Sequence, residues 1–154
     1  LSFDFKLVLH GPEIPGNTGS IGRTCVALGI ELILIKPYGF DITEKAVRRA
    51  GLDYWKHLNL SEYDSWTDFV NKRSPKHLMF FENYAKNSFF EAKYPREVFL
   101  VFGSETKGLP EKLIEGNLEN TYHLPMYSKH IRSLNLSNVV TAVSYQCLRS
   151  QLIG

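Results

Sequence analysis

The strongest constraint on the fold is a set of short apolar runs, several of them apolar at nearly every position. The candidate strands are Phe5–His10, Glu31–Lys36, His77–Glu82, Glu97–Gly103 and Thr121–Leu124. The first, third and fourth are almost continuously apolar, as in strands covered on both faces rather than one. Helical patterns fall between them. Asn17–Leu28 puts Ile21, Cys25 and Leu28 on one stripe, with Asn17 as the expected N-cap. Ile42–Ala50 has Asp41 and Glu44 as a capping box and Gly51 as a stop. Glu62–Lys72 and Pro110–Gly116 follow, and Asn135–Gln151 places Leu136, Val139, Val140, Val143 and Cys147 at helical spacing. Alternating strands and helices predict an α/β fold, a mostly parallel sheet flanked by helices. Asn83–Arg96 has no period and reads as a loop. No linker or repeat interrupts residues 1–154, so one domain is expected.

Composition narrows the classes. A hydrophobic fraction of 44% and a charged fraction of 22% suit a soluble domain, and no apolar run approaches the length of a bilayer span. No basic-then-apolar leader opens the sequence, which starts at Leu1 as a trimmed chain would. Cys25 and Cys147 lie on apolar helix stripes and read as reduced core thiols, so a cytoplasmic protein is expected. The five histidines lack metal-ligand spacing, and neither a metal nor a membrane is expected as a partner. The net charge of +2 permits an anionic partner without requiring one.

Three polar junctions carry the candidate chemistry. HGPEIPGNTGSIGRTC, residues 10–25, spaces its glycines as G-x-x-G-x-x-G, not the G-x-G-x-x-G of a dinucleotide loop. The second strand ends in Lys36, where an NAD site needs an acid; Lys36 could instead meet a 2′-phosphate, which keeps an NADP-binding oxidoreductase as an alternative. Arg23 points about 200° from Ile21, toward solvent or a cleft. Gly22 inside a helix costs roughly 1 kcal/mol relative to Ala, which a close approach by another backbone or a ligand would justify. In FGSETKGLP, residues 102–110, Gly103 ends a buried strand and Glu105 follows; the loop reads equally as a tight turn or as a ligand site at a strand's carboxyl end. Before the last helix Ser133, Asn135, Ser137 and Asn138 supply more capping groups than one helix needs.

In order and spacing, N-T-G-S-I-G-R (Asn17–Arg23), F-G-S-E-T-K-G-L-P (Phe102–Pro110) and L-P-M…R-S-L-N-L-S-N (Leu124–Asn138) resemble the three motifs of the SPOUT superfamily of RNA methyltransferases. PEIP, KPYGF and RRAGLDYW are similar to the small branch that 2′-O-methylates the wobble nucleotide of tRNA. Ser104 stands where that branch usually has Pro and Lys107 where it has Arg, and Tyr127–Ile131 is one residue longer.

The resemblance implies a C-terminal deep trefoil knot, which no general folding rule would propose. It implies S-adenosyl-L-methionine as cofactor, met by Phe81, Gly103, Leu124 and Ser133 with Met126 and Leu134 nearby. It implies a homodimer packed through the first and last helices, with Gly22 admitting a partner helix. The partner would be the anticodon stem-loop of tRNA. The implied catalytic set is Arg23, Asn17, Glu105, Ser133 and Asn135: Asn17 holding Arg23 or the ribose, Glu105 anchoring Arg23 or the third motif, and Ser133 on the cofactor side. His10 is a fallback base. Phosphate contacts are expected near Lys45, Arg48, Arg49 and Lys56, and around Lys129, His130 and Arg132. A catalytically idle RNA-binding dimer of the same fold is the remaining alternative.

Overall fold

The computed structural model describes residues 2–41 and 54–154. The helix expected over Ile42–Ala50, its Gly51 stop, and Lys45, Arg48 and Arg49 lie outside the described residues. Along the chain run β1 (Phe5–His10), α1 (Pro15–Leu28), β2 (Leu32–Ile35), a 3-10 turn (Trp55–His57), β3 (Leu60–Tyr63), α2 (Trp66–Arg73), β4 (His77–Phe81) and β5 (Asn87–Ser88). Then come β6 (Val98–Phe102), α3 (Glu111–Glu115), a second 3-10 turn (Leu118–Asn120), β7 (Thr121–His123) and α4 (Leu136–Ile153).

Among the described residues the strands form one sheet in the order β3-β2-β1-β6-β4-β7-β5, and every strand pairing is parallel. Leu7 of β1 sits between Leu32 of β2 and Leu100 of β6. Side chains alternate along each strand, so the continuous apolar runs feed two cores. Leu7, Leu9, Leu34, Leu100 and Phe102 pack under α1 and α4 with Ile21, Cys25, Val140, Val143 and Cys147. Val8, Ile33, Ile35, Phe80 and Val101 pack against Phe69 of α2 and Ile114 of α3. Both cysteines are buried and unpaired. Burial pushes the Cys25 thiol up to about 12, and raises that of Cys147 too.

The five expected strands form at or within one residue of the expected bounds, and two more exist. Leu60–Tyr63 is a sheet edge of mixed polarity, so its period is too short to announce a strand. Glu62, expected to start a helix, belongs to that edge; α2 starts at Trp66, capped by Ser65 Oγ, which accepts from Asp68 N at 3.0 Å. The segment expected as a loop over Asn83–Arg96 contributes the two-residue β5.

One expectation about α1 is corrected. The helix begins at Pro15, its N-cap position is Ile14, and Asn17 is inside the first turn and does not cap it. Within the chain the close approach at Gly22 is by a side chain: a Cβ there would lie 2.8 Å from the Trp55 ring. The 3-10 turn after β2 thus packs on the helix at this point. α1 and α4 also pack on each other within the chain, with Thr24 Oγ1 and Thr141 Oγ1 3.1 Å apart.

Candidate active site

The loops at the carboxyl ends of β1 and β6 hold each other by reciprocal carboxylates. Glu105 accepts from Glu13 N at 2.8 Å, Ile14 N at 2.9 Å and Asn17 Nδ2 at 3.1 Å. In return Glu13 accepts from Thr106 N at 3.0 Å and Thr106 Oγ1 at 2.7 Å. Those Thr106 hydrogen bonds hold the Glu13 carboxyl below its ordinary pKa. The capping oxygen that α1 lacks in its own sequence is therefore supplied by a side chain about ninety residues away.

Asn17 continues the chain of contacts. Its Oδ1 accepts from Asn135 Nδ2 at 3.1 Å, while Asn135 Oδ1 caps α4 by accepting from Ser137 N at 3.0 Å and Asn138 N at 3.3 Å. Each amide is thereby fixed in orientation, its donor and acceptor ends both used. Glu105, Asn17 and Asn135, from three separate segments, form one continuous hydrogen-bonded row.

That row borders a cavity of about 570 Å³. Its apolar lining includes Phe81, Phe102, Tyr122, Leu124 and Met126, and its polar lining includes Lys107, Arg132, Ser133 and Asn135. Gly103 and Leu134 also line it, so all six residues expected around a cofactor share one space. Gly103 is required here: a Cβ would run into the backbone of Gly108 and Leu109, where the turn folds back on the strand end. The turn is closed by Ser104 N to Gly108 O at 3.3 Å and Gly108 N to Ser104 O at 3.0 Å.

Arg23 is elsewhere. Six residues beyond Asn17 on α1, it lies about 240° round the helix. It is exposed and sits over the Tyr54 ring, 5.5 Å from the centroid, and does not line the cavity of its own chain. Asn17 and Glu105 therefore do not hold Arg23 within one chain, and Glu105 reaches the third motif only through Asn17. His10 also faces away from the cavity, its ring 6.3 Å from Trp66, and burial lowers its pKa. Lys36, the anchor of the NADP alternative, is exposed and paired with Asp64 at 3.6 Å. Lys129, His130 and Arg132 are exposed on one loop, and Arg132 reaches the cavity wall. Among the described residues no cluster of His, Cys, Asp and Glu could hold a metal ion, and no helix is long and apolar enough to cross a membrane.

Glu82 is a residue that sequence reasoning passed over. It follows β4, lines the cavity, and its carboxylate accepts from Leu109 N. Burial pushes its pKa up, opposed by that one hydrogen bond. The available signal was a lone acid directly after a buried strand.

The model of the SpoU rRNA Methylase family matches residues 4–145. The chain belongs to this family. It is 42% identical to a Listeria innocua protein provisionally named a tRNA (cytidine(34)-2′-O)-methyltransferase, over 96% of this chain and 89% of that one. Among solved structures it is similar to one described as giving insights into the 2-OH methylation of C/U34 on tRNA, with a TM-score of 0.84, 38% identity and 96% of each chain covered. It is also similar to the SpoU methyltransferase AviRb of Streptomyces viridochromogenes in complex with AdoMet. There the TM-score is 0.84 and the identity 26%, over 100% of this chain and 63% of that one.

Proposed function

We propose that this SpoU family chain transfers a methyl group from S-adenosylmethionine to the ribose 2′-oxygen of the wobble nucleotide of a tRNA. The observation that carries this reading is the Glu105–Asn17–Asn135 row bordering a cavity that also contains Phe81, Gly103, Leu124, Met126, Ser133 and Leu134. The cavity fits the cofactor: apolar and aromatic lining suits an adenine, Arg132 and Ser133 in the same lining suit an amino-acid group, and the backbone crossing at Gly103 leaves backbone edges in the wall. When bound, S-adenosylmethionine supplies an electrophilic methyl group on a sulfonium.

The protein's own work is orientation and charge. Orientation of two reactants can contribute up to ~7–11 kcal/mol, and the row of fixed amides and carboxylate is a rigid frame for it. Asn135 lines the cavity at the entrance of α4, next to Ser133 on the cofactor side, where a ribose hydroxyl would be held. Arg23 is the charge-bearing group. A guanidinium with a pKa above ~12 does not act as a base at neutral pH, so its role is to clamp the adjacent phosphate and stabilise charge developing on the 2′-oxygen.

Because Arg23 is exposed and turned away from its own cavity, the reading assigns it to the cavity of a second copy. The enzyme is then a homodimer whose two sites each draw on both protomers. The reading includes cytoplasmic localisation and a trefoil knot in the C-terminal half. The path from β6 in mid-sheet through the Ser104–Gly108 turn to β7 and back to α1 through α4 supports such threading. The test is transfer of radiolabelled methyl from S-adenosylmethionine to bulk tRNA. Alkali-resistant label in tRNA is expected, and label confined to the bases overturns the reading.

A further inference from the structure

A second and larger cavity, about 960 Å³, opens on the other side of the Ser104–Gly108 turn. It lies at the carboxyl ends of β1 and β6 and beside the Pro37–Gly39 segment after β2, the edge where parallel α/β sheets bind ligands. Tyr84, Ser104, Lys107 and Gly108 line both cavities, so occupants of the two would be separated by one turn of backbone. Nothing in the methyl-transfer scheme uses this space.

Its lining sets the chemistry of an occupant. Tyr84 and Leu118 are each 64% exposed, although both are large and apolar-bodied, and they stand at its wall with Tyr38 and the buried Leu109. The cation of the lining is Lys107, exposed, at the turn shared with the cofactor cavity; the carboxylates are Glu13, which interacts electrostatically with Lys107, and Glu111 and Glu115 at the two ends of α3, Glu111 close enough to Tyr84 to act on its hydroxyl. Carboxylates there disfavour a phosphate and accept from amino groups; the aromatic and aliphatic side chains favour a flat, uncharged ring. The walls are held by backbone: Gly39 N donates to Pro12 O at 2.9 Å and Gly11 N to Ile35 O at 2.8 Å. A preformed slot beside a ribose-modifying site, with one cation at the shared turn, matches a splayed base of single-stranded RNA, which proteins hold by stacking on aromatic side chains.

We infer that this cavity receives the base of an unpaired nucleotide flanking the methylated one, stacked on Tyr84, with the connecting phosphate on Lys107. The inference rests on the proposed tRNA ribose methylation and deepens it by giving the substrate a second point of recognition.

Fluorescence anisotropy with an anticodon stem-loop RNA reads the site directly, and it needs no turnover. Tyr84→Ala and Leu118→Asp are each expected to weaken RNA binding about ten-fold, and Tyr84→Phe to stay within about two-fold, as a stacking contact requires. S-adenosylmethionine affinity by calorimetry should change less than about two-fold in Leu118→Asp, whose side chain is outside the cofactor cavity, which a general folding defect would not allow. RNAs carrying an abasic ribose at successive loop positions complete the test. One flanking position should cost the wild type the same factor and cost Tyr84→Ala nothing more. Unchanged RNA affinity in both Tyr84→Ala and Leu118→Asp, or penalties that add at every position, overturns the inference. A wild type that binds RNA but never methylates it would refute the proposed activity while leaving this binding test in force.

Discussion

Removing the Glu105 side chain should reveal how far one carboxylate organises the site. In Glu105→Ala three donors lose their acceptor: Glu13 N, Ile14 N and Asn17 Nδ2. Hydrogen bonds to a charged group contribute about 1.5–3 kcal/mol each where partly buried. The Glu13 and Asn17 bonds are partly buried, while the Ile14 bond is exposed and water can replace it. The expected loss is therefore about 3 kcal/mol. For a domain of this size each kcal/mol moves Tm by roughly 2–4 °C, so a fall of about 6–12 °C is expected by differential scanning calorimetry. Glu105→Gln keeps one acceptor oxygen but turns an amide donor toward donors, and should fall between the two. The same variants should lose S-adenosylmethionine affinity, because Asn17 no longer fixes Asn135. A Tm within a degree of wild type would refute the view that this carboxylate joins the two loops.

Further predictions address other parts of the account. Arg23→Ala should abolish methyl transfer while leaving S-adenosylmethionine affinity within a few-fold by calorimetry; near-normal turnover removes Arg23 from the chemistry. Glu31, 9% exposed, sits at the far end of the sheet, bonded to Arg73 at 2.7 Å through both guanidinium nitrogens and to Ser61. Burial opposes its ionisation, but the Arg73 and Ser61 hydrogen bonds outweigh it and lower its pKa below 4.5. Its contribution is present above the unfolded carboxyl pKa and lost as pH falls through the lower folded value. Glu31→Gln should therefore destabilise by about 3 kcal/mol at pH 7 in urea titrations, with the gap closing under acid; a gap that persists at pH 3 contradicts this. If Lys129 contacts phosphate, Lys129→Ala should reduce the slope of log K against log salt for tRNA binding by about 0.7–0.9.

The central strands were legible because they are buried on both faces: Val98–Phe102 has no polar residue, and in Phe5–His10 only Lys6 and His10 interrupt the apolar run. Leu60–Tyr63 and Asn87–Ser88 were not, being edges whose pairing is decided by neighbours rather than by their own composition. The cap of α1 was misassigned to Asn17 because local sequence offers it as the first polar group, whereas the acceptor comes from Glu105, invisible to any window of local reading. Gly22 signalled a close approach correctly, but periodicity cannot say that the approaching group is Trp55. The convergence of Asn17, Glu105 and Asn135 followed from the resemblance to known motifs. The Glu13–Thr106 bonds and Glu82 carry no motif and emerge only from the folded arrangement.

The central claim is that the Glu105–Asn17–Asn135 row frames a site for methylating one ribose of the anticodon loop. Mass spectrometry of nuclease fragments, after incubating S-adenosylmethionine and unmodified tRNA with the wild-type protein, tests it most directly. The account predicts a single added methyl group, on the 2′-oxygen of the wobble nucleotide, absent with Arg23→Ala. A methyl group on a base, or on a ribose outside the anticodon loop, would contradict it.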